Sequence, residues 1–229
     1  MVTAVASTSQ RRRSAYSHVA VLRAAAELAG RQGYASTSIE EIAAAAGVGK
    51  QTIYRWWPNK AALFIEVYGR LVPPDLVADD TGTLAADLEA LLSRLSHLYV
   101  NTPAGNILSG LIAEAQTARS LAEQLHDAYV VPRRAIVHSI FARAAARREF
   151  ALPDDPNFAS DLISGAVWFR LLLGTRHLDG KFKRQLVDTV LRGVSASAQD
   201  GSAKQKATRD VRKVALIRRG GHALDQAKR

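Results

Sequence analysis

The sequence predicts an all-α protein built as an N-terminal helix-turn-helix three-helix domain joined to a larger helical domain. Apolar residues recur at helical spacing through most of the 229-residue chain. No segment shows the strict alternation of a half-buried strand, and no internal repeat is present. Gly33, Gly47, Pro58 and Pro73-Pro74 punctuate the periodic segments where helices stop or restart. A hydrophobic content of 48% is that of a globular chain, and the length suffices for a substantial core.

Residues 1–13 read as a basic N-terminal arm carrying Arg11-Arg12-Arg13, suited to a DNA minor groove or to solvent. The first helix is expected from about Ser14 to Gln32, with Val21, Leu22, Ala25, Leu28 and Ala29 on one face and Gly33 as its stop. For the second helix, Thr37 and Ser38 are both candidate N-caps. Glu40 and Glu41 stand three residues after them, so either pair makes a capping box. Ile39, Ile42, Ala43 and Ala46 form its inner face, and Gly47 ends it. A third short helix occupies about Lys50 to Trp56, closed by Pro58, which disfavours helix at the residue before it. Asn59 caps a fourth, with Leu63, Phe64, Val67 and Leu71 on its apolar side. These elements place a first helical domain at 14–72.

Further helices are expected at about 83–100, 104–117, 119–131, 132–148, 157–173 and 181–193, within a second domain at 73–194. Pro132 allows a kink or a new start, and PDDPN at 153–157 reads as a turn that also caps the next helix. Residues 195–229 are Ser-, Ala-, Gln- and Lys-rich and read as a basic mobile tail.

The charge balance narrows the function. The net charge is +10. Residues 1–70 carry nine Lys/Arg against four Asp/Glu, 71–194 thirteen against fourteen, and 195–229 nine against three. Basic ends around a neutral middle point to a polyanion. The absence of cysteine excludes disulfides, thiol catalysis and Cys-based metal sites. The six histidines form no HxxxH pair, so no metal or cofactor is expected. GVGKQT fails as a phosphate loop, because Ala44 stands at the leading Gly position and Gln51 replaces the required Ser/Thr. Asp154-Asp155 sits between prolines as a turn. No catalytic constellation emerges. The most apolar run, 165–174, is short and broken by Arg170; with no signal peptide in evidence, a cytoplasmic protein without membrane association is expected.

The segment VGKQTIYRWWPNKAAL (48–63) carries the chemistry. At about 100° per residue, Lys50, Gln51, Tyr54 and Arg55 spread over one side of the third helix, while Ile53 and Trp57 stack on the other. The apolar pair can anchor the helix to the first helix. The second helix, the GVG turn (47–49) and the third helix thus form a helix-turn-helix, whose second helix enters the major groove. Gln suits adenine N6/N7 and Arg or Lys suit guanine O6/N7. The hydroxyls of Thr52 and Tyr54 suit phosphate oxygens. Lys60, in the first turn of the fourth helix, opposes the helix macrodipole unless a phosphate sits there.

GYASTSIEEIAAAAGVGKQTIYRWWPNKAALF (33–64) resembles the DNA-binding signature of the tetracycline-repressor (TetR) family of bacterial regulators. The matching residues are Gly33-Tyr34, Thr37-Ser38, Ala46-Gly47-Val48, Thr52-Ile53-Tyr54 and Lys60. The resemblance covers about residues 14–70. It implies DNA contacts by Thr37, Lys50, Gln51, Thr52, Tyr54, Arg55 and Lys60. Three positions depart from the family pattern. Gly49 replaces a Ser or Thr and loses a side-chain cap. Trp56 replaces a polar or basic residue. Ala29 replaces a Phe and leaves space for Trp57 to fill.

The resemblance also implies a homodimer and an enclosed pocket for a small-molecule effector. The dimer would form through about 157–173 and 181–193, with Phe158, Leu162, Val167 and Leu173, then Phe182, Leu186, Val190 and Leu191, as its apolar faces. Candidate pocket residues are His97, Tyr99, His126, Tyr129, His138 and Trp168. The function implied is a ligand-responsive transcriptional regulator, a repressor on a palindromic operator. A non-specific nucleic-acid-binding protein and an all-α enzyme are the rival classes.

Overall fold

The computed structural model describes residues 2–73, 76, 80–149, 155–174 and 178–193, with the backbone alone for 2–13 and 156. Every regular element among them is helical. The order is α1 (Val2–Gln32), α2 (Ile39–Ala46), α3 (Lys50–Trp56), α4 (Lys60–Leu71), α5 (Leu84–Asn101), α6 (Ala104–Ala115), α7 (Arg119–Leu125), a π-helical segment (His126–Val130), α8 (Val131–Ala146) and α9 (Pro156–Leu172). A last helix, α10, spans 180–193. No helix among the described residues is long and apolar enough to cross a membrane.

α1 begins well before the expected Ser14 and includes the basic arm. Its first dozen residues contain no Pro or Gly and several good helix formers, so nothing in them stops the helix. The expected basic tail, 195–229, lies outside the described residues. The two capping alternatives for α2 resolve in favour of Ser38. The Glu41 N–H donates to Ser38 Oγ (3.2 Å), and the Ser38 N–H donates to Glu41 Oε2 (2.8 Å). Gly47 closes α2 at φ +66°, a left-handed conformation that strains residues with a Cβ. Asn59, Thr83 and Asp155 cap α4, α5 and α9 through their side chains.

Each helix buries one stripe. In α5, Leu84, Leu88, Leu91, Leu95 and Leu98 follow at spacings of four and three. In α9, Ala159, Ile163, Val167 and Leu171 recur every fourth residue. α6 packs against both α4 and α1 and so seats the N-terminal helices on the rest of the molecule. The seat is close. A Cβ at Gly110 of α6 would lie 2.5 Å from the Tyr34 ring, so only glycine permits the contact. The Tyr34 hydroxyl then donates to Glu114 Oε2 of the same helix.

Pro132 stands two residues after the end of the π-helical segment. Having no N–H and needing room for its ring, it displaces the hydrogen-bond pattern of the preceding turn. The chain keeps one helical course through the segment, and the extra residue turns Tyr129 inward, where it is buried.

A buried ionic cluster joins the start of α5 to the end of α8. The Asp87 side chain is fully buried. Its Oδ1 accepts from the Thr81 N–H (2.8 Å) and hydroxyl (2.6 Å), and its Oδ2 accepts from Arg147 Nη2 (3.2 Å). Arg143 Nη2 lies 3.6 Å from Oδ2. Arg147 also donates to Asp80 Oδ1 and Glu149 Oε1, both at 2.6 Å.

Candidate DNA-facing helix and effector cavity

α3 is too short to be stable on its own, so its orientation rests on its anchors. Ile53 and Trp57 are buried. Trp57 Nε1 donates to Glu66 Oε2 of α4 (2.9 Å), and the His18 ring of α1 lies 4.6 Å from the Trp57 ring. Trp56 is half-buried, edge-on to both His18 (5.2 Å) and Trp57 (5.5 Å), with the Arg55 guanidinium 5.4 Å from its ring centroid. It therefore stiffens the end of α3. Gly49 opens the helix with no side-chain cap, as its lack of a side chain requires.

The anchored helix presents its other face to solvent. Lys50, Gln51, Tyr54 and Arg55 are exposed and Thr52 partly so. Gln51, Thr52, Tyr54 and Arg55 line one shallow depression. Lys50 Nζ donates to Glu40 Oε1 (2.7 Å). An exposed pair of this kind is worth little in water, so a phosphate can compete for the ammonium.

Two residues expected at the DNA are committed elsewhere. Thr37 is 1% exposed, and its hydroxyl donates to the Gly33 carbonyl (2.8 Å). Lys60 Nζ donates to the carbonyls of Tyr34 (2.9 Å) and Thr37 (3.1 Å) and lies 4.2 Å from the Tyr34 ring centroid. Burial holds its pKa below the usual lysine range. The ammonium closes the turn between α1 and α2 over the start of α4, and those carbonyls take the role expected of a phosphate.

Of the six candidate pocket residues, three meet. Tyr99 and Tyr129 share a hydrogen bond (2.7 Å), and Trp168 Nε1 donates to Tyr129 Oη (2.9 Å). Tyr68 of α4 extends the chain to Tyr99 (3.3 Å), and Arg133 Nη2 donates to Tyr99 Oη (3.2 Å). Burial pushes the Tyr68 and Tyr99 hydroxyls up, well above the usual tyrosine range, so both stay neutral. A cavity of about 250 Å³ adjoins this network between the π-helical segment, α8 and α9, lined by Tyr129, Val130, Arg133, Arg134, Ser160, Asp161, Ser164, Gly165 and Trp168. The histidines lie elsewhere. His97 lines a more open cleft beside Leu71 and Arg94, His126 is exposed and paired with Asp127, and His138 is half-buried on α8 outside the cavity.

Arg133, Ser160 and Tyr68 carry this region and were not candidates from the sequence. Arg133 had a visible signal: with Val137, Ile140 and Ala144 it falls at spacings of four, three and four, on the apolar stripe of α8. A charged residue on such a stripe is buried.

The comparisons with known proteins agree with the fold. Residues 21–67 match the family described as bacterial regulatory proteins, tetR family, and residues 78–190 match the tetracyclin repressor-like C-terminal domain. The HTH-type transcriptional regulator YdeS of Bacillus subtilis is 29% identical over 181 residues, covering 79% of this chain and 91% of its own length. A DNA-binding transcriptional repressor, TetR, of Mycobacteroides abscessus is 29% identical over 175 residues, 75% of this chain and 90% of its own. Among solved structures, the TetR family transcription regulator SCO0332 superposes with a TM-score of 0.65 at 36% identity, covering 78% of this chain and 98% of that one.

Proposed function

The chain belongs to the tetR family of bacterial regulatory proteins, and on that premise we propose that it is a homodimeric repressor that leaves a palindromic operator when a small molecule fills the cavity at Arg133 and Trp168. The observation that carries the DNA-binding half of this reading is the split of α3. Ile53 and Trp57 are buried, while Lys50, Gln51, Tyr54 and Arg55 share the exposed face. Gln51 and Arg55 are the base readers, and Lys50, Thr52 and Tyr54 hold nearby phosphates. The repressor relative in Mycobacteroides abscessus supports repression over activation.

Dimerisation rests on the outer face of α9. Phe158, Phe169 and Leu173 are 67%, 63% and 62% exposed, and Leu162 and Leu172 lie between them. An apolar stripe of this kind on one helix marks an interface. The inner half of the expected bundle face is different: Val167 is buried in the subunit's own core, as are Phe182, Leu186 and Val190 of α10. The solvent side of α10 carries Lys181, Arg184, Asp188 and Arg192 instead. In the proposed dimer α9 supplies the apolar contact and α10 a polar flank.

Effector response rests on the hydrogen-bonded chain from the cavity to Tyr68. α4 carries Tyr68 at one end and Lys60, the clamp of the α1–α2 turn, at the other. A ligand that binds better when α4 is shifted selects a dimer whose two reading heads are wrongly spaced. It does so by no more than its difference in affinity between the two states.

Gln51→Ala and Arg55→Ala test the readers. Each should lose about 1–3 kcal/mol of affinity at particular base pairs of the operator and little at others. Titration against every single-base variant of the site reads the pattern. A uniform loss would reassign that residue to phosphate contact.

A further inference from the structure

The cavity contains polar groups that the subunit does not satisfy. Arg133 is 6% exposed, and its Nε and Nη1 find no acceptor among the described residues. Ser160 Oγ, fully buried on the facing helix α9, has no partner either. Both residues line the cavity. Buried polar groups are ordinarily paired, and a buried charge more strictly so.

Among the described residues nothing nearby cancels the Arg133 charge. Its neighbours are Tyr68, Tyr99 and Tyr129: its Nη2 donates to the Tyr99 hydroxyl, and the Tyr129 ring centroid lies 5.4 Å from the guanidinium carbon. The carboxylate in the cavity wall, Asp161, is already taken by Arg134 through contacts of 2.8, 2.9 and 3.1 Å. That pair is neutral as a unit, so the cavity carries one net positive charge with no counterion of its own.

We propose that this cavity receives a small monocarboxylate, its carboxylate on Arg133 and Ser160 and its apolar body against the rings of Trp168 and Tyr129. This names the effector class of the reading above and rests on that reading for its regulatory consequence. One unspent guanidinium matches one negative charge, which favours a monoanion over a phosphate dianion. The rings of Tyr129 and Trp168 stand 5.2 Å apart, tilted by 42°, and both line the cavity. A volume of about 250 Å³ admits about eight water-sized groups, at roughly 30 Å³ each. A phenyl or branched-chain acid fits this space.

The test uses matched pairs on the intact protein: benzoate with benzamide, phenylacetate with phenylacetamide, 3-methylbutanoate with its amide, and inorganic phosphate. Thermal melting and calorimetric titration read binding, and release of labelled operator DNA reads response. At least one acid should raise the melting temperature where its amide and phosphate do not. Arg133→Met, close in volume and without the charge, should weaken that acid by about tenfold or more. Ser160→Ala, which removes a hydroxyl that bonds nothing in the free protein, should weaken it about fivefold and serves if Arg133→Met fails to fold. Equal binding of acid and amide, binding of phosphate alone, no binding by any acid, or unchanged binding in Ser160→Ala and a folded Arg133→Met would each overturn the assignment. Release of operator by these compounds equally from wild type and Arg133→Met would overturn the site and leave the regulatory reading standing. Arg133-dependent binding without release would uphold the site and overturn that reading.

Discussion

Phe169→Glu should convert the protein from a dimer to a monomer and weaken operator binding by about 10²–10⁴-fold. The Phe169 ring is 63% exposed in the single subunit and stands at the centre of the α9 stripe. In the proposed dimer it is buried against the partner subunit, so a glutamate there buries a carboxylate without a partner on each side of the interface. Two reading heads on one body bind two half-sites with an effective concentration that separate heads lack, and losing that linkage sets the size of the effect. The substitution removes little from the subunit's own core, so its stability should change by no more than about 0.5 kcal/mol. Sedimentation at micromolar concentration, with DNA titration alongside, checks both parts. A variant that sediments as a dimer and binds with full affinity would move the interface away from α9.

Asp87→Ala should be the most damaging single substitution to stability, costing about 3–5 kcal/mol. It removes the acceptor for the Thr81 N–H and hydroxyl and for Arg147 Nη2, and takes the counter-charge from beside Arg143, at the junction of α5 and α8. Asp87→Asn should cost less, because the amide oxygen still accepts from Thr81. The pH dependence follows the same contacts. Burial raises the Asp87 pKa, but the Thr81 hydrogen bonds and the two guanidinium groups outweigh it and hold the carboxyl below its usual range. A depressed folded pKa contributes stability above the unfolded value of about 4, and that contribution disappears as pH falls through the folded value. Wild type should therefore lose stability below about pH 4, and Asp87→Ala should lose correspondingly less on the same descent. Urea melts at pH 7 and at pH 3 measure both. A loss under about 1 kcal/mol at pH 7 would mean that the cluster is solvated.

Where local pattern decides, the sequence was a sufficient guide. The period of the apolar residues locates α2 to α6 to within a few residues, because a helix buries one face regardless of its partner. The two faces of α3 separate on the wheel for the same reason. Other contacts need three dimensions. Thr37 and Lys60 look like surface residues of a DNA-binding motif, yet the α1–α2 turn brings the Gly33, Tyr34 and Thr37 carbonyls within reach of them. In α10, Phe182, Leu186 and Val190 have the spacing of an interface, and spacing cannot tell a partner subunit from the subunit's own core.

Around the cavity the limit has another source. Tyr99, Tyr129 and Trp168 come together while His97, His126 and His138 do not, because a residue type that suits ligands carries no information on which way its helix faces. Arg133, Ser160 and Asp87 are buried polar residues with no motif around them. Each falls on the buried stripe of its helix, and a polar residue in that register is worth more attention than a histidine outside it.

The central claim is that two copies of α3, joined through α9, read two half-sites. It is tested most directly by selecting bound sequences from random duplex DNA with the intact protein and footprinting the winner. The account predicts one palindrome, with protected half-sites centred about 34–36 Å apart or a multiple of that, one helical turn of DNA per step. Uniform protection of unrelated fragments, or enrichment of a single half-site with no symmetric copy, would contradict it.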